Sequence, residues 1–378
     1  MCYGVIAPMA ERRNMNTSRL TERFLRYVRC SSESRNEQAF CLLIEDEFAR
    51  LGIPFRRDEV GDKIGSNGWN LIAKVPGEGD PVLFSCHLDT VKPGAGINPT
   101  LENGIIRSAG DTILGADDKS GIAAVLEALE SILEEGAPHR PVEILFSVCE
   151  EIGLLGARYA DYSRFESKEG LVLDTSEIGL LKNRAPAIVH LHVRVHGKAA
   201  HAAVEPEKGV HAIKAAAEAI TNIPCGYPDD MTVMNVANFV SQGATNVVPD
   251  LAAFDMEIRS FTEAHLQKYI RETEEALQSA CRTYGASYEL TMERQCDPLF
   301  VPEDGPLIRK IRDLYARMGI EVKTKSTFGG CDATWICAHG IQAANTGTGM
   351  RNAHGVRESI ALADLETITR MVYGVMRG

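Results

Sequence analysis

Between Thr17 and about Lys182, short apolar runs alternate with stretches whose apolar residues recur every three or four positions, the pattern of a largely parallel sheet covered by helices on both faces. The runs Asn70 to Val75, Pro81 to Cys86, Val142 to Val148 and Gly170 to Leu173 predict strands. Between two of them Ile122, Val125, Leu126, Leu129, Ile132 and Leu133 share one helix face, which predicts a crossover connection between parallel strands.

From about Arg184 the pattern changes. Ala187 to Val195 alternates as a strand, Glu205 to Asn222 reads as an Ala-rich helix, and Thr232 to Val240 and Leu251 to Ser260 read as strands. Thr262 to Tyr284 is a helix with Leu266, Ile270, Leu277 and Cys281 on one face, and Ser287 to Glu293 is a last strand. This β-α-β-β-α-β order is the split βαβ, or ferredoxin-like, arrangement, a two-layer sandwich with one open sheet face. Helix Pro306 to Met318, strands Glu321 to Thr324 and Ile341 to Asn345, and a final helix from about Ile360 then resume the α/β pattern. The predicted organisation is a tail over 1–16, a catalytic α/β domain in two parts (17–183 and 299–378), and an inserted α+β lid domain over 184–298.

Composition narrows the function. With 378 residues and 44% apolar side chains the chain can bury a large core. Forty Lys and Arg against 52 Asp and Glu leave a formal net charge of -12, which disfavours nucleic acid as a partner. No apolar run approaches the ~20 residues of a membrane span. The opening MCYGVIAPMAERR reverses the charge order of a secretory signal, and the ten cysteines include no CxxC pair. Cys86, Cys149, Cys281 and Cys337 sit in apolar or helical stretches, so a reducing cytoplasm is the expected compartment.

The chemistry is written where the apolar runs end. His87 and Asp89 follow PVLFSC, Glu150 and Glu151 follow VEILFSVC, Asp174 follows GLVL, Asp117 and Asp118 open the amphipathic helix, and His354 lies in a Gly-rich loop after GIQAAN. In an open parallel sheet, ligands bind outside the carboxyl ends of the strands. Carboxylates gathered there raise one another's pKa unless a cation compensates them, and oxygen and imidazole donors without thiolate suit Zn²⁺, Co²⁺ or Mn²⁺. The donors exceed the three protein ligands of one catalytic zinc, so two ions sharing a carboxylate fit the count. Taken singly, each residue has a plainer explanation: an N-cap for Asp117 or Asp118, a helix start for Glu150 and Glu151, a turn for Asp174, a loop hydrogen bond for His87 or His354. Their joint occurrence at the ends of one sheet favours the metal.

SCHLDT, GADDKSG, CEEIGLLGA, VLDT, GKAAHAAV, ATNVVPD, FGGCDAT and NAHG, in this order, resemble the dizinc metallopeptidases that include peptidase T, glutamate carboxypeptidase and the aminoacylases, with the closest likeness to the peptidase T-like branch. The resemblance runs from about Thr17 to the C-terminus and implies a zinc-exopeptidase-like catalytic domain with an inserted lid. It places the metal ligands on His87, Asp117, Glu151, Asp174 and His354. Asp117 would bridge two zinc ions, His87 and Asp174 completing one site and Glu151 and His354 the other. It makes Glu150 the general base, Asp89 the acid that orients the His87 ring, and the Asp117-Asp118 peptide cis. It also assigns His201 to oxyanion stabilisation, Arg259 to a substrate carboxylate, and Asn246, Gly330 and Asp332 to further substrate contacts.

The activity implied is hydrolysis of a peptide bond in a small peptide, foremost by a tripeptide aminopeptidase, through a water activated by Glu150. GKAAHAAV is closer to the carboxypeptidase and deacylase branch, which leaves a dipeptidase, a carboxypeptidase or an N-acyl amino acid deacylase as alternatives. Other classes are a thiol hydrolase using Cys331 with His339 or His354, and a non-catalytic peptide-binding protein. His190, His192 and His196 share a strand face and are read as ordinary polar residues of the open side rather than ligands. Unpaired edges and that open face predict a homodimer through the lid.

Overall fold

The computed structural model describes residues 15–378. The tail predicted over 1–16 therefore lies, apart from Met15 and Asn16, outside the described residues. The chain forms two compact units: one runs to Asn183 and takes up Val301–Lys325 and Cys331–Gly378, and the other comprises Arg184–Phe300 and Ser326–Gly330.

In the first unit the strands lie in the order Phe55–Asp58, Asn70–Val75, Val142–Ser147, Val82–His87, Glu169–Thr175, Gln342–Gly347 and Leu180–Ala185. The sheet is mixed. Its centre is parallel, from Val142–Ser147 through Val82–His87 and Glu169–Thr175 to Gln342–Gly347, and its margins are antiparallel. Every residue of Val82–His87 and Val142–Ser147 is buried, as strands covered on both faces must be. The parallel centre carries the three carboxyl ends from which His87, Glu150, Glu151 and Asp174 project.

The long helix Ala116–Glu135 is buried along nearly its whole length, including Glu127 and Glu130, although Leu133 of the predicted apolar face is 38% exposed. Regular helix begins only after Asp118, because Asp117 and Asp118 have non-helical backbone angles. Gly121 lets this helix approach the sheet: a Cβ there would lie 2.5 Å from Asp118 Oδ1 and 2.8 Å from Cys86 Sγ. A separate four-stranded sheet of short segments, Met350–Arg351, Ser359–Ala361, Ile105–Ser108 and Pro99–Glu102, was not predicted.

The second unit is an antiparallel sheet in the order Gly226–Asp229, Thr232–Val240, Leu251–Ser260, Ala187–His196, Ser287–Cys296. Helices Ala212–Asn222 and Glu263–Tyr284 cover one face, packing Ala215, Ala216, Ala219, Leu266, Ile270 and Leu277 against Val193, Phe254, Met256 and Ile258. The first of these helices starts at Ala212 rather than Glu205, because Pro206–Lys208 forms a 3-10 turn that ends at Gly209. Every cysteine among the described residues is free. No described helix is long and apolar enough to cross a membrane.

Candidate metal centre

Three chain reversals at the carboxyl ends of the central strands build the site. Cys149, at φ 55°, turns the chain sharply after Val142–Ser147, and Glu150 and Glu151 follow on that turn. Their backbone N–H groups donate to the two oxygens of Asp89, at 2.9 and 3.2 Å, while Ser34 Oγ donates to the same carboxylate at 2.7 Å. Asp89 thus ties the loop after one strand to the loop after its parallel neighbour. It holds the His87 ring chiefly through its backbone carbonyl, 2.9 Å from Nδ1, with its carboxylate farther off at 3.5 Å. That bond puts the proton on Nδ1 and leaves Nε2 free to coordinate.

His87 Nε2 points at Asp117 Oδ1, 3.0 Å away, and His354 Nε2 lies 3.2 Å from Asp117 Oδ2 and 2.9 Å from Glu151 Oε2. His354 reaches this position from a loop residue at φ 65°. Donor atoms of His87, Asp117 and Asp174 lie within 4.8 Å of one another, as do those of Asp117, Glu151 and His354, and those of His87, Glu150 and Glu151. Asp117 is common to the first two groups. The Asp117-Asp118 peptide is cis.

The electrostatics are those of acids crowded out of water. Burial, followed by the charge of Asp174, drives Glu150 well above the usual carboxylate range, and burial and Asp117 do the same to Asp174. Burial opposes ionisation of Asp117 too, but His354 and His87 outweigh it and hold this carboxylate down. Asp117 and Glu151 in turn push His354 up to about 10. Glu151 Oε1 is buried without a hydrogen-bond partner. Excess carboxylate, two convergent imidazoles and an unpartnered buried oxygen fit divalent cations, which would compensate the charge that the protein alone does not.

Several supporting residues were missed from sequence. Glu358 accepts the N–H groups of Leu114, Gly115 and Asp117 at 2.7–3.0 Å, fixing the approach to Asp117. Asn345 holds the backbone of Asp174. Asp118, fully buried, accepts from the His87 N–H. Lys119, also fully buried, donates to the Cys30 carbonyl at 2.6 Å. The only sequence signal for any of these was the pairing of Asp118 and Lys119 with Asp117 in GADDKSG.

The remaining predicted residues divide between the units. Asp332 belongs to the first, 2% exposed and bonded to Ser147 Oγ, with burial raising its carboxyl to about 6. His201, Asn246, Arg259 and Gly330 belong to the second unit. His201 and Asn246 are exposed and neighbours there, the Ala202 N–H donating to the Asn246 carbonyl. Arg259 is bidentate to Glu257 and also donates to the Phe328 carbonyl. His190 and His192 pair with Glu257 and Asp255, and no metal-type group forms around them. Cys331 is buried, and burial drives its thiol well up, against any role as a thiolate; His339 instead stacks on Tyr162.

Buried carboxylates and two imidazoles, one buried and one exposed, converging at the carboxyl ends of parallel strands define a metal-dependent hydrolase. The chain matches Peptidase family M20/M25/M40 over residues 83–378, and it belongs to that family. It is 34% identical over 366 residues to the uncharacterized protein YqjE of Bacillus subtilis (strain 168), covering 96% of this chain and 98% of that one. It is 22% identical over 403 residues to peptidase T of Escherichia fergusonii, covering 94% and 97%. The crystal structure of the aminopeptidase PepT from Bacillus cereus ATCC 10987 superposes with a TM-score of 0.91 at 31% identity, covering 96% and 98%. A tripeptidase from Staphylococcus aureus gives the same TM-score, 0.91, at 28% identity, covering 97% and 99%. The protein is a metallo-exopeptidase of the peptidase T-like branch.

Proposed function

We propose that the protein is a tripeptide aminopeptidase that holds two zinc ions, replaceable by cobalt or manganese, with His87 and Asp174 on one, Glu151 and His354 on the other, and Asp117 shared. The observation that carries this reading is the division of Asp117: one oxygen faces His87 and the other faces His354. A carboxylate with an imidazole at each oxygen would serve both groups of donors, so Asp117 would be held in common by two cations.

When bound, such ions polarise the scissile carbonyl and ease deprotonation of water. Glu150 accepts the proton of the attacking water and delivers it to the leaving amine, a task suited to a carboxyl that burial holds above the usual carboxylate range. Asp89 orients this base by fixing the peptide N–H of Glu150 and Glu151. Asp332 supplies a further substrate contact, and its charge adds to the rise of Glu150 and Asp174. In the second unit His201 stabilises the developing oxyanion, Arg259 takes the substrate carboxylate, and Asn246 and Gly330 position the peptide. Free cysteines throughout the described residues suit a reducing cytoplasm, and the half-exposed sheet face of the second unit suits a homodimer.

The test is a panel of tripeptides, dipeptides and N-acetyl amino acids offered to protein stripped of metal and reconstituted with zinc or cobalt. Release of the N-terminal residue from tripeptides is the expected result. Release of the C-terminal residue, or turnover of N-acetyl amino acids alone, would assign the protein to another activity of its family.

A further inference from the structure

The second unit sets two guanidinium groups beside an aromatic cluster. Arg259 spends Nε and Nη2 on the two oxygens of Glu257, at 2.7 and 3.0 Å, and one N–H of Nη1 on the Phe328 carbonyl, at 2.7 Å. A guanidinium has five N–H donors, so two remain. The Phe328 ring lies 4.5 Å from the Phe261 ring and 5.6 Å from the Tyr227 ring. Arg184 stands over Phe261 at 4.8 Å, and among the described residues the one polar contact of its guanidinium is Met231 Sδ at 3.9 Å, with no carboxylate partner.

Packing explains only part of this cluster. Phe261 is 8% exposed and anchors the Ser326–Gly330 segment, whereas Tyr227 is 71% exposed. A ring that open to water contributes little to the fold, yet it extends a flat apolar surface outward from the residue whose carbonyl Arg259 binds. Two guanidiniums against the single carboxylate of Glu257 leave a positive surplus next to that surface. The combination matches a ligand that is anionic at one end and flat and apolar at the other.

We propose that the two free N–H groups of Arg259 and the Tyr227–Phe328 wall form one subsite for a substrate residue that bears both a free carboxylate and an aromatic side chain, so that the enzyme favours peptides ending in such a residue. The proposal rests on the reading of Arg259 as the carboxylate-binding residue. Arg184, over the adjoining Phe261 ring and without a carboxylate of its own, adds long-range attraction for the anionic end.

The experiment uses the zinc-reconstituted full chain. Calorimetric titration of the Glu150→Gln full chain, in which turnover is suppressed, with N-acetylphenylalanine, N-acetylglycine and N-acetylphenylalaninamide reports binding, and kcat/KM of the wild-type enzyme is compared for Ala-Ala-Phe and Ala-Ala-Gly. N-acetylphenylalanine is expected to bind about tenfold tighter than N-acetylglycine, and Ala-Ala-Phe to be favoured similarly. Tyr227→Ala should narrow both ratios to about twofold without shifting thermal unfolding. Equal binding of the two acids, or ratios unchanged in Tyr227→Ala, overturns the wall. An amide that binds as tightly as the acid overturns the role of Arg259 and the proposal with it. Failure to cleave any tripeptide would count instead against the proposed activity, since the titrations do not depend on it.

Discussion

Asn345 clasps the backbone of Asp174 from the neighbouring parallel strand: its Oδ1 accepts the Asp174 N–H at 3.0 Å and its Nδ2 donates to the Asp174 carbonyl at 2.7 Å. The ladder between these strands slips just beyond Asn345, where the next pairing is Gly347 with Thr175. The side-chain amide therefore satisfies backbone groups that the sheet leaves unpaired, at the residue whose carboxylate gathers with His87 and Asp117. Asn345→Ala should cost about 1–3 kcal/mol in urea denaturation of the metal-free protein, the price of an unmet buried donor and acceptor. It should also weaken binding of the ion at His87 and Asp174 about 10- to 100-fold. Unchanged metal affinity would reduce Asn345 to a purely structural bond.

Glu150 and Glu151 are adjacent, anchored through the same Asp89, yet their carboxylates meet different partners. Glu151 lies 2.9 Å from His354 Nε2, whereas Glu150 is the one driven up by burial and the charge of Asp174. Glu150→Gln is expected to lower kcat by about 10²–10⁴ with both ions retained. Glu151→Ala should lose metal, read by elemental analysis after dialysis. A Glu150→Gln protein that turns over normally would remove Glu150 from the base position, and one that loses metal would make it a ligand.

Much of this was legible because burial leaves a strong trace in sequence. The central strands read as unbroken apolar runs, and the residues just past their ends are those that converge on the site. Alternation along Leu251–Ser260 likewise separates buried Phe254, Met256 and Ile258 from Asp255, Glu257 and Arg259 on the other face. What was not legible depends on distant partners. Glu358 lies in a loop without periodicity and meets the Leu114–Asp117 segment some 240 residues away, and Asn345 looks like any polar residue closing a strand. The small sheet around Ile105–Ser108 consists of strands of two to four residues with exposed ends, too short to show an alternation. The irregular turn at Asp117 and Asp118 leaves no trace in the periodicity, and only the cis peptide implied by the resemblance pointed to it.

Chelation distinguishes the metal centre from a thiol mechanism. EDTA or 1,10-phenanthroline should abolish activity, with zinc or cobalt restoring it, while iodoacetamide should have little effect on the native enzyme. The physical reason is that Cys331 is 5% exposed and its thiol is held well up by burial and by Asp174, so little thiolate is available to alkylate. Inactivation by iodoacetamide at the rate of an exposed thiol would contradict this. The accessible Cys225 serves as the internal control for labelling.

Acid stability should be governed by the arginine and glutamate network that fastens the helix Thr17–Arg29 to the helices Gln38–Leu51 and Ala116–Glu135. Arg23, with a side chain 3% exposed, contacts Glu47 at 3.2 Å, Glu127 at 2.5 Å and Glu130, and Arg50 meets Glu130 from the other side at 2.8 Å. Burial alone would raise Glu130, but Arg50 and Arg23 outweigh it and hold the carboxyl down to about 2; Glu47 is likewise held below the ordinary range, against burial, by Arg26 and Arg50. An acid whose pKa is depressed on folding adds stability that is complete above its unfolded pKa of about 4.3 and disappears as pH falls through the folded value. Unfolding free energy from urea titrations should therefore be level from neutral pH to about 5 and decline between about 5 and 2. Glu130→Gln should lower the plateau and flatten that decline. Arg23→Ala, which removes the buried cation shared by Glu47, Glu127 and Glu130 and leaves Glu127 with Arg19 alone, should cost about 3–5 kcal/mol at neutral pH. A Glu130→Gln protein with the same acid slope as wild type would show that the decline originates elsewhere, foremost in the carboxylates of the metal centre.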